Sequence, residues 1–280
     1  MESDTPILDD HLHLDPVTGS PREAVADFAQ AGGTHLLVLN KPSWTLGVDV
    51  DWKEDFREGF DRTIEATETA KQVLPGRAWT VLGVHPGLIS RLVDDRDFAV
   101  DGARELMEAG LDVAAEYVAE GRALALKSGR PHYPVSDEVR KASNQVLRHA
   151  LSLADELDCV LQLHTEDTDD LSEVGEWAAE RGVSEERVVK HYASGPVSGA
   201  TASVIARKDE LRAAADSDEP FLMETDFLDD PDRPGAVLGP KTVPRRARWL
   251  REEGYGEAVE RAHVETPARV YSIDLSVPSK

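Results

Sequence analysis

Short apolar runs alternate with longer amphipathic stretches along this 280-residue chain. The runs are ILDDHLHL, THLLVLN, AWTVLGV, ALALK, CVLQLH, RVVKHY and FLMETDF. Between them, segments such as PREAVADFAQAGG, FREGFDRTIEATETAKQVLPG and SDEVRKASNQVLRHALSLADELD carry the spacing of helices with one apolar face. Pro21 near the start of the first segment and Gly32-Gly33 at its end are helix start and stop signals. Ser136, followed by Asp137 and Glu138, is an N-cap for a fourth helix. Strand alternating with helix predicts βαβ units and parallel strands.

Seven strands are clear. An eighth is needed between His191 and Phe221, and SVIA (Ser203 to Ala206) is the only run available for it. With that strand the pattern predicts a (β/α)8 TIM barrel, one domain over residues 1–280, of the length such barrels use. An open doubly wound sheet satisfies the same pattern. The Pro- and Gly-rich stretch DDPDRPGAVLGPKTVP follows the last strand, and a loop of that length inside a compact domain usually serves function.

The polar residues at the ends of the runs turn a fold into a candidate site. His13, His85, His164 and His191 close or nearly close four runs, Lys127 closes a fifth, and the last reaches Asp226. In a barrel the C-terminal strand ends form the active-site face. His11 and His13, two apart on one strand, point to one face, and Asp9 shares that parity. Neutral imidazoles held close together suit a divalent transition metal such as zinc. An H-x-H pair alone could equally be two hydrogen-bonded structural histidines, but His164, His191 and Asp226 at later strand ends favour a metal centre. Glu224 shares the parity of Asp226 and lies deeper, whereas Cys159 has the opposite parity to His164 and faces the helices. Glu166 is either a neighbour of His164 or solvated, His35 and His149 read as structural, and His263 lies far from any strand end.

Composition narrows the function classes. Apolar residues make up 40%, enough for a sizeable core, and no run of 18 apolar residues could span a bilayer. The start MESDTPILDD lacks the basic and apolar regions of a signal peptide, so a cytoplasmic location is expected. Cys159, the single cysteine, cannot form an internal disulfide. The net charge is −23, with 54 acids against 31 bases, of which nine are lysines. The acids are dispersed, which argues against a charged tail. A scattered acidic surface with arginine in place of lysine suits a high-salt cytoplasm, the alternative being ordinary solvated helix faces. Nucleic-acid binding depends on basic residues and weakens steeply with salt, so the charge disfavours it. The one dense basic cluster, Arg245, Arg246, Arg248 and Arg251, is expected to pair with neighbouring acids.

The set His11-x-His13, His164, His191 and Asp226, with GVHPG around His85, METDFLDDP around Asp226 and a closing ETPARVY, resembles the amidohydrolase superfamily and within it the TatD-like hydrolases. GRPHYPV and RPGAVLGPKTVPRR resemble an archaeal TatD-related branch. The matches run from Asp9 to about Tyr271. The resemblance implies two divalent metals (zinc first, manganese or magnesium in the same role), with substrate facing His85 and His132. The family usually carries Glu at the end of the fourth strand, bridging two metals; here Lys127 stands there. A protonated lysine repels cations, but a lysine carboxylated by CO2 presents two oxygens, as in phosphotriesterase-like members. An unmodified Lys127 beside a single metal is the alternative.

These residues imply one metal on His11, His13 and Asp226 and another on His164 and His191, bridged by the Lys127 carbamate and a hydroxide. Metal binding lowers the pKa of water from about 15.7 towards 7, and Asp226 is placed to move the proton. The expected reaction is hydrolysis of a phosphoester or phosphodiester, DNA included, or of a small molecule as a lactonase or phosphotriesterase-like enzyme would perform it. A metal-binding protein without catalysis, or an acidic interaction module, are readings from other classes.

Overall fold

The computed structural model describes residues 5–277 other than 234 and 236. The first half runs β1 (Leu8–His13), α1 (Pro21–Gln30), β2 (His35–Leu39), α2 (Phe56–Lys71), β3 (Ala78–Gly83), α3 (Leu88–Ser90), α4 (Val100–Ala119), β4 (Ala125–Gly129) and α5 (Asp137–Glu156). The second half runs β5 (Leu161–His164), α6 (Ser172–Ala179), β6 (Val188–Ala193), β7 (Thr201–Ile205), α7 (Lys208–Asp216), β8 (Phe221–Glu224), β9 (Phe227–Leu228), α8 (Thr242–Glu252), α9 (Gly256–Glu260) and α10 (Thr266–Tyr271). All strands pair in parallel in the order β8-β7-β6-β5-β4-β3-β2-β1-β9. Because β9 continues β8 after a two-residue kink and pairs with Leu12 and His13 of β1, the sheet curls round to meet its own first strand. This is the (β/α)8 barrel, and the doubly wound alternative is excluded by that closure.

The weak SVIA run lies in β7, Thr201–Ile205. Its signal was faint because no helix separates it from β6: residues 194–200 cross directly, so the usual amphipathic stretch is missing there. Ser136 caps α5 by accepting from Val139 N–H at 3.3 Å. Cys159 packs in the apolar layer between strands and helices, as its parity requires.

One apolar cluster draws Leu8, Leu37, Val81, Ala125, Val189 and Leu222 from six different strands, which only the barrel interior allows. Tyr271 of α10 joins it, so the C-terminal helix plugs the lower end. Burying each such aliphatic side chain contributes about 1.5–3 kcal/mol. The apolar layers stop halfway up; above them the interior becomes polar, and there the site begins.

Gly83 shows how tightly the upper strands pack. It is paired with Lys127 across β3 and β4, and a Cβ at this position would lie 1.8 Å from the Lys127 carbonyl oxygen. Gly83→Ala must push β4 away. The expected cost is about 3 kcal/mol, read as a fall of about 6–12 °C in Tm; an unchanged Tm would mean that the two strands separate freely.

Candidate metal centre at the mouth of the barrel

Two irregularities aim the histidines. On β1 the register slips by one residue between Asp9 and Leu12. Leu8 and Asp10 point inward, but after the bulge His11 and His13 also face the interior, while Leu12 packs with Leu36 and Val38 against the helix layer. The expected inward trio Asp9, His11 and His13 is therefore wrong in its first member. Asp9 turns to the seam with β8, accepting Thr225 N–H at 3.0 Å and the Thr225 hydroxyl at 2.6 Å. A second slip lies on β6 between Lys190 and Ala193. There Tyr192 takes φ 56°, a left-handed conformation that costs a bulky residue about 1–3 kcal/mol. It is held by a hydrogen bond from its N–H to Glu224 Oε1 at 3.1 Å. Asp226, at φ 50°, makes the kink after β8, and its N–H donates to the His11 carbonyl at 2.9 Å.

Hydrogen bonds define which ring nitrogens are free. His11 Nδ1 meets the Gln162 amide oxygen at 2.8 Å, and His13 Nδ1 meets the Leu39 carbonyl at 2.9 Å. Both acceptors are oxygens, so both Nδ1 atoms carry the hydrogen and both Nε2 atoms are bare. Those two Nε2 atoms lie 3.9 and 3.7 Å from Asp226 Oδ1, and His11 Nε2 is buried without a partner. Two bare imidazole nitrogens and a carboxylate oxygen within 4.8 Å of one another form a donor set for a divalent cation. His11, His191 and Glu224 form a second such set.

The remaining expected residues adjoin this centre. The His191 ring stacks on His11 at 3.7 Å, and its Nδ1 is 2.8 Å from Glu224 Oε1. His164 lies beside His191, with ring centroids 5.4 Å apart, and its Nε2 is 3.1 Å from Nδ1 of the exposed His132. His85 sits 4.5 Å from the His164 ring; its Nδ1 accepts from Gly87 N–H, so a neutral His85 offers an Nε2–H donor. Lys127 is buried and its amine makes no hydrogen bond or ion pair among the described residues. Burial pulls that amine down to about 8 against the pull of Asp226 and Glu224. Burial likewise lifts Asp226 to about 6, opposed by His191, and lifts Glu224 to about 8.

Two cavities open on either side of His164, His191 and Asp226. One, of about 180 Å³, is bounded by His13, Lys41, His85, Lys127 and Arg233; the other, of about 310 Å³, by His132, Thr165, Lys190 and Tyr192. A larger cleft of about 810 Å³ lies elsewhere, lined by Asp169, Glu185, Glu219 and Arg269, and holds none of these histidines.

Several contributors escaped the sequence reading. Gln162 was legible in principle, since it shares the parity of His164 on β5. The buried Lys41–Asp15 pair at 2.9 Å joins two loops far apart in sequence and left no signal. Glu166 turns to Arg130, at 2.7 Å, and not to His164. His263 is buried and accepts Leu8 N–H at 3.2 Å, a structural role. The arginines of α8 do not form the expected acid pairs: Arg246 and Arg248 donate to the carbonyls of Ala206 and Ala31, and none of the four makes an ion pair among the described residues.

Burial holds seven histidines below their usual pKa: His11, His13, His85 and His164, with His35 and His191 at about 4 and His263 at about 3. The unfolded chain takes up these protons near pH 6.5 and the folded chain resists. The histidine contribution to stability is therefore complete above 6.5 and falls by about 1.4 kcal/mol per histidine per pH unit below it. Asp9, Asp10, Asp226, Asp229 and Glu224, all raised by burial, act in the opposite sense but are five against seven. Metal-free protein should unfold with a midpoint between pH 6.5 and 4; a Tm that stays level down to pH 4.5 would contradict this.

Comparison with known proteins identifies the family and the fold. The profile of the TatD-related DNase family matches residues 8–272. An uncharacterised protein of Methanocaldococcus jannaschii is 34% identical over 97% of this chain and 98% of its own length. Among solved structures, a TatD homologue from Escherichia coli superposes with a TM-score of 0.67 at 18% identity, covering 97% of this chain and all of its own. A lactonase from Listeria monocytogenes superposes with a TM-score of 0.63 at 15% identity, over 99% of this chain and 96% of its own. The barrel is thus shared with lactonases, but the profile match from the first strand to the last helix decides the kinship: this chain belongs to the TatD-related DNase family.

Proposed function

We propose that this protein is a metal-dependent hydrolase of phosphoester bonds, phosphodiesters first, acting on small substrates in the cytoplasm. The observation that carries the reading is the convergence of bare His11 Nε2 and His13 Nε2 on Asp226 Oδ1 at the barrel mouth. One divalent ion would be held by His11, His13 and Asp226, a second by His164 and His191, with zinc suited to this nitrogen-rich set. Bound there, the ions would polarise the scissile phosphoryl group and lower the pKa of water towards about 7.

The chain supplies the rest. The fraction of Lys127 that is neutral can add CO2 through Nζ, losing one proton and giving a carbamate whose two oxygens replace the family's bridging glutamate. Its buried amine, lowered to about 8 and without a partner, suits that reaction. Asp226 would accept a proton from the attacking water and return it to the leaving oxygen, a task its place beside the bare nitrogens of His11 and His13 allows. His85 Nε2–H and His132 line the two flanking cavities and would orient the substrate. A small substrate is favoured because the net charge of −23 repels a polyanion.

Lys127 also supports a second reading, hydrolysis of a lactone or phosphotriester. Metal-reconstituted protein should be assayed on bis(p-nitrophenyl) phosphate, single-stranded DNA, a γ-lactone and a phosphotriester, at low and at molar KCl. Phosphodiester turnover is expected; turnover of the lactone alone would transfer the assignment, and no turnover of any would remove it.

A further inference from the structure

Glu224 is fully buried on β8, and among the described residues its only ion-pair neighbour within 4.0 Å is His191. Its two oxygens are not equivalent. Oε1 accepts the Tyr192 N–H at 3.1 Å and lies 2.8 Å from His191 Nδ1, while Oε2 has no partner. Oε1 thereby already serves as an acceptor. A bare Nδ1 at 2.8 Å would set one lone pair against another. With Oε1 as the acceptor, His191 carries its hydrogen on Nδ1, which leaves Nε2 bare on a ring that borders both cavities. In the present arrangement the contact is close but not aligned as a hydrogen bond.

We propose that Glu224 is a positioning residue that fixes the tautomer and orientation of His191 and so presents His191 Nε2 to a divalent cation. The inference rests on the metal-dependent reading above, and it deepens that reading by giving His191 the buried partner that metal-binding histidines need. The same contact explains why the chain tolerates Tyr192 in the left-handed region: one carboxylate oxygen serves the strained amide and the ligand ring together.

The test uses the full chain, metal-free and with zinc alone, as parent, Glu224→Gln and Glu224→Met. Ring ¹⁵N shifts of His191, assigned by their loss in His191→Asn, report the tautomer without any metal; competition with a chelator reports zinc affinity. The parent should show Nδ1–H. Gln keeps the acceptor oxygen and should keep the tautomer. Met should lose it and bind zinc about 10–100-fold more weakly, with Gln falling between. An Nε2–H parent, or a Met variant with the parent's tautomer or the parent's zinc affinity, overturns the proposal. Should Met not fold, the parent and Gln spectra decide. A tautomer that responds to Glu224 in a parent that binds no zinc would leave the positioning of His191 standing and remove the metal reading.

Discussion

Asp226→Asn should lower hydrolytic turnover by about 10²–10⁴-fold, the usual contribution of a positioned proton acceptor. The variant is nearly isosteric and keeps a carbonyl oxygen where Oδ1 now faces His11 and His13 at 3.9 and 3.7 Å. Its backbone N–H still donates to the His11 carbonyl, so the kink after β8 should persist. Two kinds of loss are then separable. If Asp226 served only as a ligand, raising the zinc concentration would restore the rate. If it moves the proton, saturating zinc leaves the rate depressed. Equal turnover by variant and parent would remove Asp226 from the chemistry altogether.

Lys127→Ala should lower bound metal from close to two ions per chain to one or none, measured on protein purified with bicarbonate and zinc. The side chain is buried in the middle of β4, and burial holds its amine at about 8, within reach of the CO2 reaction. The parent's mass should exceed that of its sequence by one CO2 under native conditions, and the excess should vanish in the variant. Lys127→Glu provides the complementary arm, since it places the family's usual residue there, and it should restore the metal count without bicarbonate. The lost ion should also show in stability: a ligand at about 100 times its Kd contributes about 2.7 kcal/mol. Zinc should therefore raise the Tm of the parent by several degrees more than that of Lys127→Ala. A parent without bound metal would sink the hydrolase reading.

What could be read from the chain alone was whatever repeats with a short period. The alternation of apolar runs and amphipathic stretches settled strands and helices, and the runs ending at His13, His164, His191 and Asp226 showed where on a barrel the polar residues collect. Burial imposes both patterns residue by residue, so both are written locally. β7 was the hardest strand to see because the helix that normally announces the next strand is missing before it. The tertiary structure decided the rest. Only the bulge on β1 determines that His11 and His13 face inward while Asp9 turns to the seam; one extra residue reverses parity, and no local pattern records it. Only the pairing of β9 with β1 distinguishes a barrel from an open sheet. Which nitrogens of His11 and His13 are free depends on Gln162 and Leu39, partners brought from other strands. Sequence specified which residue types could bind a metal; three-dimensional contact specified which atoms are free to do so, because a ring's tautomer is set by the neighbour it touches.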